Sequence, residues 1–467
     1  MSDMIENRTY DEIAVGESAC LVRQLTQRDI QLFAVMSGDV NPAHVDPDYA
    51  RDARFHEIIG HGMWTGSLIS TVLGTQLPGP GTIYLDQSLH FSGPVRPGDT
   101  VTVTVTAREK DDAKGVIFFD CACTRQDGET VVAGTAKVLA PREKIRRKRI
   151  DMPDVAVRDR GAKLHRLIDS AAALGSLRMA VVHPVDTASL SGALDAAQAG
   201  LIVPVLVGPA AKIREAAATA KLDLGEVEIV DAPHSHAAAA RAVKLVGEGR
   251  VQALMKGKLH TDELMGAVVN RESGLRTERR ISHVFAIDVA GYAKPLFITD
   301  AAINIAPNLS VKADIVRNAI DLARALDVDP PHVAILSAVE TVSPEMASTL
   351  DAAALCKMAD RGQIEGGVLD GPLAFDNAVN VEAAQVKGIR SAVAGRAEIL
   401  VAPDLEAANM LAKQLEYMGD AQAAGIVLGA RVPIALTSRA DDTLSRMASC
   451  ALAVCEYHWR RGGSGQA

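Results

Sequence analysis

The fold of this chain is decided by the stretch Val432-Pro-Ile-Ala-Leu-Thr-Ser438-Arg439-Ala-Asp-Asp442. Apolar residues with β-forming character lead to a hydroxyl and a guanidinium, and a helical pattern follows at Leu444, Met447, Ala448, Ala451, Leu452 and Cys455. This order predicts a strand that ends at the N-terminus of a helix. Because strand ends and helix N-termini both favour anions in α/β proteins, we expect Ser438 and Arg439 to line an anion site. The alternative is that Arg439 forms an ordinary surface salt bridge.

The region around this stretch alternates short apolar runs with Ala-rich helical patterns, from about residue 163 to the end. Such alternation predicts a mostly parallel sheet with right-handed crossovers. The region is too long for one sheet domain, so we expect two α/β lobes, about 161–292 plus 432–467 and about 293–431. Polar side chains follow several predicted strands, and each could be a simple cap or turn residue. Their joint placement predicts a shared site with Lys256, Asp300, Asn304 and Asp376.

Composition limits the classes of function. The 467 residues predict roughly three folding units of about 150 residues each. A formal charge of -9 argues against general binding to nucleic acid or to anionic membranes. The first residues lack the charged and apolar regions of a leader, and no apolar run has membrane length, so we expect a cytoplasmic protein. Six cysteines without CxxC spacing predict buried free thiols.

The first part of the chain, up to about residue 141, has a different pattern. Two helical segments are followed by four stretches of alternating polarity, at 82–91, 100–108, 116–125 and 130–139, which predict antiparallel strands around a central helix. Between the helices, Pro42 fixes a loop that carries Asp39 and His44, and Gly62 opens the second helix. We therefore predict that Asp39 and His44 form an acid–base pair that faces the backbone N–H of Gly62. The alternative is that Asp39 caps a turn and His44 is a surface imidazole.

The two regions are joined by a polar segment, residues 142–160. Its first half is the basic run Arg142-Glu-Lys-Ile-Arg-Arg-Lys-Arg149, which has no hydrophobic period. We expect a solvated hinge; the alternative is a docking site for nucleic acid, which the acidic balance of the remaining chain disfavours.

The loop motif Ser37-Gly-Asp39-x-Asn41-Pro42-x-His44, with His61-Gly62-Met63 and Phe91-x-x-Pro94-Val95-x-Pro97-Gly98-Asp99, resembles the MaoC-like, R-specific enoyl-CoA hydratases. The resemblance covers residues 10–140 and implies a hot-dog fold. It implies that Asp39 and His44 are the catalytic pair, that Gly62 lines the oxyanion hole, and that Asn41 contacts the substrate. Trp64, directly after the motif, is expected to narrow the acyl pocket.

The second region is similar to the phosphate acetyl/butyryltransferase family over about residues 165–460. The similarity rests on these motifs: Met255-Lys256-Gly257, Gly274-Leu-Arg276-Thr, Ser282-His283-Val284, Thr299-Asp300-Ala-Ala-x-Asn304-x-Ala-Pro307, Asp370-Gly-Pro-Leu-Ala-Phe-Asp376-Asn377 and Thr437-Ser438-Arg439-Ala-Asp441. It implies a two-lobed α/β/α fold of the isocitrate/isopropylmalate dehydrogenase type and a homodimer or higher homo-oligomer. The implied reaction is acyl-CoA + phosphate ⇌ acyl phosphate + CoA, with no metal and no tightly bound cofactor.

The roles expected in this second site follow from the reaction. Arg439 suits a bidentate grip on phosphate and Ser438 suits donation to the carbonyl or phosphate oxygen, while Lys256 and Arg276 are secondary cations. Asp300, Asn304 and Asp376 are expected to bind substrate. Acetyltransferase members place an acid seven residues after the serine, where this chain has Ser445. Candidates for the thiol base are therefore Asp442, our first choice, and Asp441, Asp300 or Asp376. The residues of these motifs resemble the butyryltransferases more closely than the acetyltransferases.

Taken together, these patterns predict a hydratase domain at 1–141, a linker at 142–160 and a phosphate acyltransferase domain at 161–467. The expected partners are small molecules, acyl-CoA and phosphate. Two alternatives remain open. The second domain could be a non-catalytic acyl-CoA sensor, which the Ser445 departure favours, or the first could serve only for dimerisation or acyl binding.

Overall fold

The computed structural model describes residues 4–153, 155, 157, 161–272, 274–438 and 441–463. The chain forms two compact units, Met1–Arg158 and Asp159–Ala467. The described cysteines are all free, and Cys121, Cys123, Cys450 and Cys455 are buried. The prediction of buried free thiols is therefore confirmed for these four and wrong for Cys20, which is exposed. Among the described helices, none combines the length and the apolar character needed to cross a bilayer.

Within the residues that the structure describes, the first unit contains seven strands, four α-helices and one 3₁₀ turn. In chain order they are β1 (Met4–Glu6), the 3₁₀ turn Tyr10–Glu12, β2 (Ser18–Gln24), α1 (Gln27–Ser37), α2 (Pro42–Val45), α3 (Pro47–Asp52), α4 (Gly62–Thr75), β3 (Ile83–Phe91), β4 (Thr100–Asp111), β5 (Val116–Arg125), β6 (Thr130–Leu139) and β7 (Arg146–Lys148).

An antiparallel sheet in the order β2-β4-β5-β6-β3 packs against α4 in this unit. Alternate residues of β4, from Val101 to Ala107, are buried because side chains in a strand point to opposite faces. The helix α4 contributes Leu68, Ile69 and Val72 to the same core. The predicted central helix wrapped by antiparallel strands is thus confirmed, and it is the hot-dog arrangement that the resemblance implies.

The start of the expected linker belongs to the first unit. Strand β7, Arg146–Lys148, pairs antiparallel with β1, and Lys144 lies 3.3 Å from Glu6. The solvated hinge predicted for this basic run is therefore wrong at residues 146–148, because they pair with β1 and Arg146 lies 3.8 Å from Glu6. Part of the remaining linker, residues 154, 156 and 158–160, lies outside the described residues.

The second unit alternates strands and helices. In chain order they are α5 (Ala162–Leu174), β8 (Leu177–Val182), α6 (Thr187–Gln198), β9 (Ile202–Gly208), α7 (Ala210–Ala220), β10 (Glu228–Asp231), α8 (Ser235–Gly247), β11 (Ala253–Lys256), α9 (Thr261–Val269), β12 (Ser282–Asp288), β13 (Leu296–Thr299), α10 (Leu309–Ala325), β14 (His332–Leu336), α11 (Ala347–Asp360), β15 (Val368–Leu373), α12 (Phe375–Val379), α13 (Val381–Val386), β16 (Ile399–Val401), α14 (Leu405–Met418), β17 (Gln422–Leu428), β18 (Ile434–Ala435) and α15 (Thr443–Gly463).

The strands of this unit form one eleven-stranded sheet in the order β10-β9-β8-β11-β18-β17-β12-β13-β16-β14-β15. Neighbours are parallel within each half, but the pairs β18–β17, β17–β12 and β12–β13 in the middle are antiparallel. Three successive reversals make the two parallel halves run in opposite directions. In place of the two expected lobes, the structure has one continuous sheet. The strands of one half have their carboxyl ends at one edge of this sheet, and the strands of the other half have them at the opposite edge.

Candidate active sites

The first site is built on the segment between α1 and α2 and on α2 itself. The prediction that His44 projects from a loop is wrong, because Pro42 starts the short helix α2 that carries His44. Helix α1 ends at Gly38, which has a φ of 76°, a left-handed conformation that favours glycine. Asn41 then caps α2, since its Oδ1 accepts a hydrogen bond of 3.1 Å from the Ala43 N–H, and Pro42 follows at the first helical position. Asp39 Oδ1 accepts a hydrogen bond from the Asn41 N–H. The Asn41 side chain therefore has a capping role, and its predicted contact with substrate stays a prediction.

Asp39 and His44 lie close together, as the sequence predicted. One ligand atom each of Asp39, His44 and His61 lies within 4.8 Å of the other two. His44 Nδ1 is 2.8 Å from the Ile59 carbonyl oxygen, and because a carbonyl only accepts, this nitrogen carries the proton. The lone pair of His44 Nε2 is therefore available to a water or a substrate.

His61 is the residue of this site that the sequence analysis did not single out. It is 2% exposed, its Nε2 is 2.9 Å from the Asp39 backbone oxygen, and its ring centroid is 4.0 Å from that of His44. These contacts hold the loop and the imidazole of His44 in place. Its position directly before Gly62 in the quoted motif was the signal that could have identified it.

Gly62 and His44 line the same pocket, of about 350 Å³. Gly62 is the first residue of α4, where backbone N–H groups have no partner inside the helix. A Cβ at Gly62 would lie 3.0 Å from Phe91 Cε1, so glycine allows a close approach of the ring. Trp64, expected to narrow the pocket, is instead 6% exposed and packed in the core on α4. Side chains such as Phe55 and Phe91 line the pocket in its place.

The second site is the loop that follows β18. Lys256, at the end of β11, is 5% exposed, and its Nζ donates to the Thr437 carbonyl oxygen over 3.3 Å. Ser438 is exposed, and its N–H donates to Asp441 Oδ2 over 2.6 Å. The structure thus brings Lys256 and Ser438 together at one edge of the sheet, as predicted. Arg439, the predicted phosphate grip, lies outside the described residues.

A buried arginine fixes this loop, and the sequence analysis missed it. Arg446 is 4% exposed on the inner face of α15. Its guanidinium donates to Thr437 Oγ1 over 3.1 Å, to the Ser438 carbonyl oxygen over 2.9 Å and to the Asp441 carbonyl oxygen over 3.3 Å. Gly192 on α6 makes room, since a Cβ there would lie 2.7 Å from Arg446 Cδ. A charged residue within the apolar face of a helical pattern was the available signal.

Two neighbouring carboxylates at this loop have different surroundings. Asp442 is exposed, and its Oδ1 accepts from the Ser445 N–H over 2.8 Å, which is the geometry of a helix cap. Burial raises the pKa of Asp441, and the hydrogen bond from the Ser438 N–H opposes this effect. Nearby charges act on the same carboxyl, with Lys413 lowering its pKa and Glu416 raising it. Asp441 and Asp442 therefore differ in burial and in hydrogen bonding, and the choice of Asp442 as the thiol base stays a prediction.

The remaining predicted residues lie at the other edge of the sheet. Asp300 is 3% exposed and accepts hydrogen bonds from the backbone N–H groups of His283, Ala302, Ile303 and Asn304 and from the Asn304 amide. These contacts make Asp300 an anchor for its own loop. Asp376, on the short helix α12 that follows β15, lies 3.4 Å from Lys387. The single shared site predicted from strand ends is wrong for Asp300, Asn304 and Asp376, because β13 and β15 run opposite to β11 and β18.

Arg276 also belongs to this second edge. It pairs with Ala430, which follows β17, and it lines a pocket of about 480 Å³ together with Asn304 and Arg280. The side chains of Arg276 and Arg280 are exposed, and neither forms an ion pair with any residue that the structure describes. The intervening strand β12 has seven residues, which corresponds to about 20 Å. Arg276 is therefore not part of the Ser438 loop.

Comparison with known families divides the chain as the structure does. Residues 235–454 match the family described as "Phosphate acetyl/butaryl transferase", and residues 17–122 match the family described as "MaoC like domain". A phosphate acetyltransferase of Rhizobium meliloti is 63% identical over 300 residues, which are 64% of this chain and 95% of that protein. A phosphate butyryltransferase of Clostridium beijerinckii is 42% identical, over 59% of this chain and 91% of that protein.

A solved structure supports the fold of the second unit. The branched-chain phosphotransacylase from Enterococcus faecalis is 28% identical and aligns with a TM-score of 0.52, over 60% of this chain and 99% of that one. The kinship with isocitrate/isopropylmalate dehydrogenases stays a prediction. That the motifs are closer to the butyryl branch stays a prediction, because overall identity does not test the residues of single motifs.

Proposed function

Because the chain belongs to the phosphate acetyl/butyryltransferase family and carries a MaoC-like domain, we propose that it has two activities. The second unit transfers an acyl group between CoA and phosphate, and the first unit hydrates enoyl-CoA to (R)-3-hydroxyacyl-CoA. The observation that carries the transferase proposal is the 63% identity over nearly the whole of a phosphate acetyltransferase, together with the fixed Ser438 loop. The hydratase proposal rests on the convergence of Asp39 and His44 in a pocket next to Gly62.

The transferase reaction needs a base that accepts the thiol proton. It also needs hydrogen-bond donors for the carbonyl oxygen and for the phosphate oxygens. The CoA thiol loses its proton, the sulfur attacks the carbonyl carbon of the acyl phosphate, and the phosphate leaves. Asp441 is the proposed proton acceptor, since its raised pKa brings it closer to that of a thiol. The Ser438 hydroxyl donates to the developing oxyanion, and Lys256 neutralises charge on the phosphate side. Arg439 keeps its proposed phosphate grip, and Arg446 acts only by holding the loop.

We assign the arginine pocket at the other edge to the nucleotide end of CoA. Arg276 and Arg280 are exposed cations in one pocket, which suits phosphate oxygens. A thioester that reaches from this pocket to Ser438 has to span about 20 Å. We expect Arg280→Ala to raise the KM for acyl-CoA at least about tenfold with little change in kcat. An equal fall in kcat at unchanged KM would remove the pocket from the binding path.

The hydratase reaction is the addition of water across a carbon–carbon double bond. Asp39 and the free Nε2 of His44 orient a water molecule, take its proton as the oxygen bonds to the β-carbon, and return a proton to the α-carbon. The Gly62 N–H holds the thioester oxygen while enolate charge develops. Phe55 and Phe91 supply an apolar wall for a short acyl chain.

The two activities are tested with one purified protein. Phosphate-dependent CoA release is measured with acetyl-, propionyl- and butyryl-CoA, and loss of the enoyl absorption is measured with crotonyl-CoA. We expect acetyl-CoA to be preferred in the first assay. Asp39→Ala is expected to abolish hydration and to leave CoA release unchanged, whereas unchanged hydration would show that the first site is misassigned.

A second candidate for the later unit is a non-catalytic acyl-CoA sensor. The observation that favours it is Ser445, which occupies the position of the family acid and offers no carboxylate. The same assay decides: a sensor binds acyl-CoA without releasing CoA at any phosphate concentration. Release that depends on phosphate and is lost in Asp441→Asn supports the transferase and assigns its base.

A further inference from the structure

The cluster of Asp39, His44 and His61 has the arrangement of a metal site. One ligand atom of each residue lies within 4.8 Å of the other two. Two imidazoles and one carboxylate form a common ligand set for Zn²⁺, which takes such ligands at about 2.0–2.2 Å in a tetrahedral arrangement. Those bond lengths place the ligand atoms about 3.4 Å apart, so side-chain rotations are needed to close the cluster around an ion.

Both histidines are oriented as metal ligands usually are. A metal-binding imidazole commonly donates its second N–H to a backbone carbonyl, which fixes the tautomer and leaves the other nitrogen as a lone pair. His44 does this through Nδ1 to the Ile59 oxygen over 2.8 Å, and His61 does it through Nε2 to the Asp39 oxygen over 2.9 Å. The available atoms are therefore His44 Nε2 and His61 Nδ1.

His61 supplies an independent sign of a missing partner. The residue is 2% exposed, and its Nδ1 is buried without a hydrogen bond to any residue that the structure describes. A buried polar atom of this kind destabilises the fold unless water or an ion satisfies it. Asp39 is exposed, so an ion can reach the cluster from solvent.

We propose that Asp39, His44 and His61 bind a Zn²⁺-type cation, which inhibits the first unit by taking the place of the reacting water. The cation is not a cofactor in this scheme, because hydration uses the same Asp39 and His44 groups in their metal-free state. Solvent water completes the coordination of the bound ion. Metal binding itself does not depend on the proposed hydration, and the two are measured separately.

The direct test is titration of the chelator-treated full-length protein with Co²⁺ under visible absorption. A four-coordinate site gives a strong absorption band with one Co²⁺ per chain, and Zn²⁺ displaces it. Asp39→Asn and His44→Gln keep the side-chain shape, and each is expected to weaken metal binding at least about tenfold. His90→Ala and His236→Ala are matched controls outside the cluster and should leave the band unchanged.

Inhibition supplies the second measurement. Zn²⁺ at the concentration that displaces Co²⁺ is expected to slow crotonyl-CoA hydration at least about tenfold, and a chelator should restore the rate. Absence of the band, or an equal band in Asp39→Asn and His44→Gln, would overturn the site. A protein that shows the band but no hydration without metal would leave the cation site standing and would refute the proposed hydratase instead.

Discussion

A single buried guanidinium determines the geometry of the Ser438 loop. Arg446 donates to three oxygens of the segment 437–441 from the first turns of α15. The sequence could predict the loop, because an apolar run ended in polar residues. It showed Arg446 as a charged residue that interrupts an apolar helix face, but it could not show which atoms the guanidinium contacts. Placing it required the contact between α6 and α15, where Gly192 leaves space for the side chain.

Removing this guanidinium should impair acyl transfer selectively. Arg446→Met keeps most of the buried volume but removes three charge-assisted hydrogen bonds, so the loop loses its fixed orientation. We expect kcat for phosphate-dependent CoA release to fall at least about 100-fold, with a smaller change in KM. Crotonyl-CoA hydration is the internal control, and Arg461→Met on the same helix is the matched variant. Normal kcat in Arg446→Met would show that the loop does not need this clamp.

The buried Glu456 predicts a pH dependence of stability. It is 1% exposed, and although Arg460 approaches it, burial raises its pKa from 4.5 to about 7. A raised pKa means that its contribution to stability is complete below pH 4.5 and is lost as the pH rises through about 7. Glu456→Gln should therefore increase the free energy of unfolding at pH 8 by about 2 kcal/mol, and the gain should vanish near pH 4.5. Denaturant unfolding at both pH values checks this, with Glu226→Gln as the exposed control.

At the scale of elements, alternation of polarity predicted the strands of the first unit closely. The predicted stretches 116–125 and 130–139 coincide with β5 and β6, because one face of each strand is buried and the other is not. Strand β7 was missed for the opposite reason. Its residues Arg146–Lys148 have no apolar period, and the strand is formed by backbone pairing with β1.

Pairing between β3 and β6 depends on one glycine. A Cβ at Gly134 would lie 1.9 Å from the Ser88 carbonyl oxygen, which is backbone and cannot move aside. We expect Gly134→Ala to lower the free energy of unfolding of the first unit by about 3 kcal/mol, as an overpacked core does. Gly74→Ala is the control, because nothing lies within 4 Å of its Cβ position on α4 and alanine favours a helix. Equal melting temperatures of the two variants would contradict the close approach.

At the scale of the whole molecule, the alternation of strands and helices in the second unit was predictable but the direction of the strands was not. Strands β12 and β17 are buried on both faces, so their sequences are continuous apolar runs. A run of this kind has the same pattern whether the strand pairs parallel or antiparallel with its neighbours. Their antiparallel pairing reverses the second half of the sheet. For this reason Asp300 and Asp376 lie at the edge opposite to Ser438, although their motifs were identified correctly.

The separate hydrophobic cores predict that the two proposed activities are independent. The core around Leu68 and Val103 belongs entirely to the first unit, whereas the cores around Leu190, Leu254 and Leu400 belong to the second. We expect fragments 1–153 and 161–467 to fold alone and to keep hydration and CoA release, respectively, within about twofold of the full chain, since each fragment retains its own core. Circular dichroism and the two assays check this. A fragment that folds but loses more than about tenfold of its activity would show that its site needs residues of the other unit or of the segment 154–160.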